Sequence, residues 1–505
     1  QRDRLVEIID ALGHSTFYEY DVHDNVTSMT DPSDATASFV YDDVGRLLQS
    51  VDPLGGTRSW AYDNAGNTTL FVDERGFATE WSYNERDQLS AEIDALGYTQ
   101  QWRYDATGRL SEFIDQEGHA TRYQYDRIGQ LTQVVDALGG TLAFQYDAVG
   151  NVLSTRDKLG RTTDWEYDAL DRVIREVSAQ GHATDFEFDG VGNLTALVDS
   201  SSNRTEWHFD ERGLVTERVD PHGNPSLFEY DASGFLVGST DRLGRRKSYL
   251  RNPLGNIINE TWHDATDQAI LSYLYEYDAT GAMTRAAGPD SETTRQYDLN
   301  GRLTRVSESG PNANQPSIEF RYEYDSAGNP IGVTDSLGAA IDSIFDANNR
   351  LESILWRGAE LDDARVDYSR DRRGLVSRVT RRSGAAELVG MTEYNLDPLG
   401  RPVSITHSDS IGTTISRHQL VFDSADQLIS WTINGTESEF SYDADGQLTA
   451  SASGGRSPEQ FTYDALGNRS GHQEEIGVSN RLLADEQFLY RYDAEGNLVQ
   501  RTERS

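Results

Sequence analysis

The 505-residue chain contains no cysteine, so disulfide bonds contribute nothing to its stability. Lysine is nearly absent as well: Lys158 and Lys247 are the only two, and the other basic residues are arginines. With 84 acidic residues against 45 basic ones, the formal net charge is −39. Such a charge repels nucleic acid and anionic membranes, and we expect the chain to bind neither.

Long hydrophobic runs are also missing. No stretch approaches the roughly 20 apolar residues of a membrane-spanning helix, so we expect no membrane insertion by this chain. Apolar residues make up only 36% of the sequence, but aromatic residues make up 10%. Because each aromatic side chain buries a large area, regularly placed rings can supply a core, and we do not expect disorder.

An aromatic-acidic pair returns every 21 residues in the first half of the chain. A fixed period of this length is typical of repeat proteins, in which each unit buries its apolar face against its neighbours. The chain is therefore expected to build a long surface. The pairs are Tyr20-Asp21, Tyr41-Asp42, Tyr62-Asp63, Tyr83-Asn84, Tyr104-Asp105, Tyr125-Asp126, Tyr146-Asp147, Tyr167-Asp168, Phe188-Asp189, Phe209-Asp210 and Tyr230-Asp231.

One repeat shows the pattern of a β-hairpin. Residues 57–62 alternate, which predicts Trp60 and Tyr62 on one face of a strand and Arg58 and Ala61 on the other. A glycine-containing turn at 63–67, a second short strand at 68–73 and a turn at 74–76 complete the unit. We therefore predict an all-β fold of tandem antiparallel hairpins, with two strands and two turns in each unit.

Stacking the units aligns similar residues in columns. Polar residues such as Glu80, Arg103 and Glu166 separate the aromatic positions, so we expect one apolar face and one polar face. Two residues before each pair stands a ring column: Tyr18, Phe39, Trp60, Trp81, Trp102, Tyr123, Phe144, Trp165, Phe186, Trp207 and Phe228. The second strands contribute Val51, Val72, Ile93, Ile114, Val135, Val177, Val198 and Val219, with Arg156 as the exception.

Tandem copies of one motif carry a resemblance to a known family. The motif occurs at 41–47 (YDDVGRL), 104–110 (YDATGRL) and 297–303 (YDLNGRL). The chain resembles the YD repeats of the Rhs family, which includes Rhs polymorphic toxins, insecticidal toxin-complex shell proteins, wall-associated proteins and teneurins. The resemblance implies a long strip of β-hairpins that coils into a solenoid or hollow shell.

The spacing becomes irregular after residue 251, where Arg251-Asn252 keeps the phase but lacks the aromatic residue. We divide the chain into regular repeats at 1–251 and irregular repeats with longer hairpin loops at 252–505. We expect the two parts to be continuous, with a domain boundary near 251 as the alternative. The extra residues fall in 263–267, 310–316 and 382–385, which we predict to be lengthened loops.

A column of aspartates ends the second strands and offers the most tempting site. Stacked carboxylates can bind Ca²⁺ through their oxygens. Aspartate before a glycine turn also caps backbone amides, and we favour this second role. The column consists of Asp52, Asp73, Asp94, Asp115, Asp136, Asp157, Asp199, Asp220 and Asp241.

Other candidate sites also have a simpler structural explanation. The ring column could stack on sugars, but few other large apolar residues exist, so we favour a structural role. His14, His119 and His182 occupy turns without a metal-ligand spacing. The segments 52–55 and 397–400 (both DPLG) superficially resemble the self-cleavage segment of Rhs relatives, and we assign both to turns. We expect no catalytic, cofactor-binding or metal-binding residues and no enzyme activity.

The resemblance implies a non-enzymatic shell or scaffold segment of a secreted or cell-surface protein, which encloses or presents a toxin or other effector domain. Its partner is then the remainder of a longer chain, of which we expect this sequence to be a part because Gln1 falls inside a repeat. The alternative is an extracellular adhesin or surface fibre that binds glycans or another cell. A weaker third hypothesis places an enzyme in the irregular half. No cofactor is expected.

Overall fold

The computed structural model describes residues 3–264, 266–310, 317–358, 362–384, 387–454, 456–471 and 474–504. These residues form 48 strands and one 3₁₀ turn. Forty-two strands belong to a single antiparallel sheet, in which each strand pairs with the next one along the chain. The prediction of an all-β strip of tandem hairpins is confirmed.

The strands of the first half are short and nearly uniform in length. They are β1 Glu7–Ile9, β2 Ser15–Tyr20, β3 Val26–Thr30, β4 Thr36–Tyr41, β5 Leu47–Val51, β6 Thr57–Tyr62, β7 Thr68–Val72, β8 Ala78–Tyr83, β9 Leu89–Ile93, β10 Thr99–Tyr104, β11 Leu110–Ile114, β12 Ala120–Tyr125, β13 Leu131–Val135, β14 Thr141–Tyr146, β15 Val152–Arg156, β16 Thr162–Tyr167, β17 Val173–Val177, β18 Ala183–Phe188, β19 Leu194–Val198, β20 Arg204–Phe209, β21 Val215–Val219, β22 Pro225–Tyr230, β23 Leu236–Thr240 and β24 Arg246–Arg251.

The later strands of the same sheet vary more in length. They are β25 Ile257–His263, β26 Ala269–Tyr277, β27 Met283–Ala287, β28 Glu292–Tyr297, β29 Leu303–Ser309, β30 Ile318–Tyr324, β31 Pro330–Asp335, β32 Ala340–Phe345, β33 Leu351–Arg357, β34 Ala364–Arg370, β35 Val376–Ser383, β36 Glu387–Leu396, β37 Pro402–Asp409, β38 Thr414–Phe422, β39 Leu428–Ile433, β40 Thr436–Tyr442, β41 Leu448–Ser453 and β42 Glu459–Gln460.

Two small sheets follow the long one. The first pairs β43 Thr462–Tyr463 with β44 Arg469–Ser470. The second contains β45 Glu475–Gly477, β46 Arg481–Ala484, β47 Phe488–Tyr492 and β48 Leu498–Glu503, with the 3₁₀ turn Val478–Asn480 between its first two strands. No helix in the described part of the chain is long and apolar enough to cross a membrane.

Both turns of a repeat have the same backbone geometry. In the first turn, the Asp63 amide donates to the Asn67 carbonyl at 3.0 Å and the Gly66 amide to the Asp63 carbonyl at 3.2 Å. In the second turn, the Asp73 amide donates to the Phe77 carbonyl at 2.9 Å. Gly66 has a φ of +98°, a left-handed conformation that glycine adopts without a steric penalty. This arrangement is typical of a type I turn followed by a bulge residue.

Cross-strand pairing corrects the expected division into one apolar and one polar face. Trp60 pairs with Phe71, whereas the adjacent Val72 pairs with Ser59 on the opposite face. The second-strand column therefore lies opposite the ring column, and both faces are mixed. Arg58 lies two residues before Trp60 in one strand, so its assignment to the other face is wrong, because alternation returns every second residue to the same side.

The sheet is a single layer. Among the described residues, the buried apolar ones are Ala35, Ala196, Val379 and Ala484. The ring column is half-buried throughout. The ring centroids of Trp60 and Phe71 lie 5.4 Å apart, and those of Trp102 and Phe113 lie 5.6 Å apart. These ring contacts therefore lie within single hairpins, between the two paired strands.

The predicted long loops lie partly outside the described residues, namely at 265, at 311–316 and at 385. The flanking strands are longer than those of the regular repeats. The strands β25 and β26 have seven and nine residues, and β36 has ten. Much of the extra sequence therefore extends the hairpins themselves.

Candidate functional surface

The aspartate of each Tyr-Asp pair caps its own turn. Asp105 Oδ1 accepts hydrogen bonds from the amides of Thr107 at 2.8 Å and Arg109 at 3.0 Å, and Oδ2 accepts one from Arg109 Nε at 2.8 Å. The Thr107 hydroxyl, followed by the Arg109 amide and side chain, holds the pKa of Asp105 well below its ordinary value. These carboxylates are therefore committed to the turns.

The tyrosine of the motif joins neighbouring repeats. The Tyr104 hydroxyl donates to the carbonyl of Leu89, 15 residues earlier, at 2.8 Å. The bond ties each hairpin to the one before it, beyond the ladder hydrogen bonds. The contact recurs at Tyr20, Tyr62, Tyr83, Tyr146, Tyr167, Tyr230, Tyr277, Tyr297, Tyr324, Tyr442, Tyr463 and Tyr492.

The arginine of the motif joins each repeat to the next one. Arg109 Nη1 donates to the Asp126 carbonyl at 2.9 Å, and its guanidinium lies 4.8 Å from the centroid of the Tyr125 ring. This role was not predicted from the sequence, although the Gly-Arg dipeptide recurs at a fixed offset from the tyrosine. The same pair of contacts recurs at Arg4, Arg46, Arg172 and Arg302.

The aspartates of the second turns act as the predicted caps. Asp52 Oδ1 accepts the amides of Leu54 at 2.9 Å and Gly56 at 2.8 Å. The DPLG segment at 397–400 has the same geometry, because Asp397 Oδ1 accepts the amides of Leu399 and Arg401. Across the described ranges, no three or more acidic or histidine side chains are grouped to hold a metal ion. The absence of a metal site stays a prediction.

The three turn histidines have different partners. His14 Nδ1 lies 3.0 Å from Asp10 Oδ2, and His119 Nδ1 lies 3.1 Å from Asp115 Oδ2, in each case within one turn. His182 Nδ1 instead lies 3.0 Å from Asp445, a residue 263 positions away. This last contact belongs to a larger surface.

That surface is a seam, defined here as the line along which the second turns of residues 52–245 meet turns of residues 298–497, which are the first turns of the later hairpins and the 3₁₀ turn Val478–Asn480. Asn300 Nδ2 donates to Asp52 Oδ2 at 2.9 Å, and Asn348 Nδ2 donates to Asp94 Oδ2 at 2.8 Å. Successive second turns contact successive later turns, so the strip returns onto its own edge. Further contacts join Glu74 to Ser326, Asp73 to Asn349, Glu117 to Arg372, Asp115 to Arg373, Lys158 to Asp426, Ser178 to Asp445, Ser200 to Ala465, His222 to Val478 and Arg242 to Glu495.

The seam is polar and carries paired charges. Lys158 Nζ lies 2.6 Å from Asp136 Oδ2 and 2.9 Å from Asp426 Oδ2, and its side chain is 19% exposed. Burial acts to lower the pKa of Lys158, but the two carboxylates outweigh it and raise the pKa. Arg242 likewise bridges Asp220 and Glu495 at 3.0 and 3.2 Å. The strongly acidic chain thus places cations where its two edges meet.

Comparison with known proteins places these features in a wider group. The family described as RHS Repeat matches residues 2–36, 41–76, 83–115, 104–141, 146–183, 188–225 and 297–340. The family described as Teneurin YD-shell matches residues 391–505. Double-stranded DNA deaminase toxin A of Burkholderia cenocepacia (strain H111) is 26% identical to the chain over an alignment that covers 47% of it and 18% of the toxin.

Two solved structures share the fold. The crystal structure of TcdB2-TccC3-TEV has a TM-score of 0.65 at 15% identity, covering 96% of this chain and 32% of that one. The Photorhabdus luminescens Tc holotoxin pore has a TM-score of 0.55 at 15% identity, covering 98% and 28%. The chain therefore spans about a third or less of the length of these structures, and the likeness concerns the fold.

Proposed function

The chain belongs to the Rhs family of YD-repeat proteins, and we propose that it forms part of the wall of a hollow shell that encloses a toxin or another effector domain. The observation that carries this proposal is the seam. The 23 strands β6 to β28 separate the turn at Asp52 from the turn at Asp298. At a spacing of about 4.8 Å, they correspond to a circuit of roughly 110 Å. A strip whose edges meet after each circuit encloses a space.

The proposed role is structural. The recurring polar residues of the motif bond to the backbone: Asp105 caps a turn, Tyr104 holds a neighbouring carbonyl, and Arg109 does the same in the next repeat. Because these side chains bond to the backbone, they stabilise the proposed wall, and the motif has no free acid-base pair. We propose that the wall itself has no enzymatic activity.

The proposed partner is an effector carried by the same longer protein, and the proposed location is extracellular or on the cell surface. Support comes from the relatives, since one solved structure is a holotoxin pore by name and one sequence relative is named a toxin. The deaminase activity in the last name belongs to that protein, of which this chain covers 18%.

A protection assay tests the proposal. Residues 1–505 would be extended by a flexible tail with one site for a sequence-specific protease, and cleavage would be compared with that of the free tail. Enclosure predicts slower cleavage of the attached tail. The double variant Lys158→Ala/Arg242→Ala, which removes two seam cations, should restore rapid cleavage.

The control for this assay is Arg103→Ala, because Arg103 is 61% exposed and pairs with Glu112 within one hairpin, away from the seam. This variant should protect the tail as well as the unchanged chain does. Equal cleavage of the attached and the free tail in the unchanged chain would contradict enclosure.

A glycan-binding adhesin is the second candidate function. The supporting observation is the half-buried ring column, which leaves part of each aromatic ring accessible on one face. A glycan array probed with the chain would test it. Binding that is lost in Trp102→Ala and retained in Arg103→Ala would favour the adhesin, and absence of binding across the array would count against it.

A further inference from the structure

Ser178 interrupts the aspartate column of the second turns. The neighbouring turns begin with Asp157 and Asp199, and Asp157 Oδ1 accepts the amides of Leu159 and Arg161, both at 2.9 Å. The hydroxyl of Ser178 lies 3.4 and 3.3 Å from the equivalent amide nitrogens of residues 180 and 182. The turn at 178–182 therefore lacks a strong cap of its own.

A carboxylate from across the seam supplies the missing cap. Asp445 Oδ1 accepts the Gln180 amide at 3.0 Å. Asp445 Oδ2 accepts the Ser178 hydroxyl at 2.9 Å and lies 3.0 Å from His182 Nδ1. In the comparable turn at Asp115, the capping carboxylate comes from the turn itself. Asp445, whose side chain is 14% exposed, thus stands in for the absent aspartate.

We propose that Ser178 and Asp445 set the register of the seam. If the later coil shifted by one repeat, Asp445 would meet the turn of Asp157 or Asp199, where a carboxylate already occupies the cap. Two carboxylates in that position repel each other, and the amides there already have an acceptor. The turn at Ser178 offers three donors and no competing charge. It can therefore bind Asp445 without repulsion from a second carboxylate.

The contact between Asp445 and the turn at 178–182 also makes the hydrogen bonding of that turn depend on whether the coils meet. The turns at Asp157 and Asp199 keep their caps whether the coils meet or not, because each cap lies within the turn. The turn at 178–182 has its full set of hydrogen bonds only when Asp445 is seated. Amide exchange at Gln180 therefore reports on the seam. This inference deepens the proposed shell and rests on it, because it identifies what aligns successive coils of the wall.

Hydrogen exchange of the full chain tests the cap. Asp445→Ala should speed amide exchange at Gln180 by roughly tenfold or more, because the charged hydrogen bond to that amide is lost. Exchange at Leu159 and Arg161, which have a cap within their turn, should not change. Asp185→Ala is the matched control, since it removes an exposed carboxylate that pairs with Arg175 instead. Unchanged exchange at Gln180 in Asp445→Ala would overturn the proposal.

Crosslinking tests the register. The chain has no cysteine, so Ser200→Cys and Ala465→Cys would introduce a single thiol pair at the next contact along the seam. In this background, Ser178→Asp should lower the yield of a short thiol crosslink several-fold, because it places two carboxylates together. The further change Asp445→Ser should recover the yield, since it removes the repulsion while the introduced aspartate caps the turn.

A crosslink yield unaffected by Ser178→Asp would overturn the register assignment. A melting curve for each variant separates loss of register from loss of folding, and the recovered double variant keeps the test valid if Ser178→Asp folds poorly. These measurements do not involve an enclosed tail. If they succeed while the protection assay fails, the seam register stands and the shell proposal falls.

Discussion

At the scale of single residues, the motif consists of side chains that bond to the backbone. The capping role of the aspartates was predictable from sequence, because the cap lies within five residues of the side chain that forms it. The role of Arg109 was not predictable, because its acceptor, the Asp126 carbonyl, lies 17 residues away in the next repeat. Strand alternation places Arg58 on the same face as Trp60, because the two residues are two positions apart in one strand. The prediction that they lie on opposite faces was therefore wrong.

Removing one motif hydroxyl should weaken the link between hairpins. We expect Tyr104→Phe to lower the free energy of unfolding by about 1 kcal/mol, because the Leu89 carbonyl loses its side-chain donor. Urea denaturation followed by tryptophan fluorescence would measure the change. Tyr123→Phe, in the ring column, is the comparison, and an equal loss in both variants would argue against a specific role for the motif tyrosine.

His407, in β37, should make stability depend on pH. The Thr392 hydroxyl accepts a hydrogen bond from Arg381 at 2.9 Å, and it lies 2.9 Å from His407 Nδ1. Trp431 Nε1 donates to His418 Nδ1 at 3.1 Å, and the two imidazole centroids lie 5.4 Å apart. Burial, followed by the charges of His418 and Arg381, lowers the pKa of His407.

Because the folded-state pKa of His407 is lowered, the unfolded chain binds more protons as the pH falls. The stabilisation from the neutral ring is present above the ordinary histidine pKa of about 6.5 and is lost below it. We expect the melting temperature to fall between pH 7.5 and pH 5.5, and to fall less in His407→Gln, which keeps an acceptor but does not titrate. Identical pH dependence of both proteins would exclude this histidine as the cause.

At the scale of elements, the 21-residue period follows from the hairpin. Strands of six and five residues alternate with two five-residue turns of one geometry, as in Thr57–Tyr62 and Thr68–Val72. A bulge before each motif tyrosine, such as that between Ala61 and Tyr62, is part of every regular repeat. The sequence identified the strands and turns because each is closed by contacts within one unit. The bulge was not expected, because alternation alone does not reveal an extra residue.

Two glycines of one turn provide a matched test of this geometry. Gly192 has a φ of +103°, whereas Gly190 has an ordinary φ and open space around the position of a Cβ atom. Gly192→Ala should lower the free energy of unfolding by about 1 kcal/mol, because alanine is strained in the left-handed region. Gly190→Ala should change it little. Thermal melting of both variants would measure the difference, and equal effects would contradict the turn assignment.

At the scale of the whole molecule, the seam converts a ribbon into a coil. A single-layer sheet of 42 strands would extend roughly 200 Å if it stayed open, at about 4.8 Å per strand. The contacts between residues about 250 positions apart hold it in a shorter form. They are polar and partly charged, so closure should depend on ionic strength more than the hairpins do.

Loss of a seam cation should open the coil. Arg242 Nη2 donates across the seam to the carbonyl and the carboxylate of Glu495, and we expect Arg242→Ala to weaken closure by about 2 kcal/mol, because both charged hydrogen bonds are lost. Small-angle X-ray scattering should show a larger maximum dimension, most clearly at high salt, with β-structure by circular dichroism unchanged. Arg103→Ala should scatter like the unchanged chain, and an unaltered dimension in Arg242→Ala would show that closure does not need this contact.

The sequence by itself determined the repeat, the hairpin, the capped turns and the family, because each depends on contacts that span no more than about one unit. Only the tertiary structure decided that the edges meet, which turn faces which, and that Asp445 caps the turn of Ser178. Those features depend on small rotations between neighbouring strands that add up over 23 strands before the strip returns to itself. The 21-residue spacing does not specify the total rotation, so it does not predict where the strip meets itself.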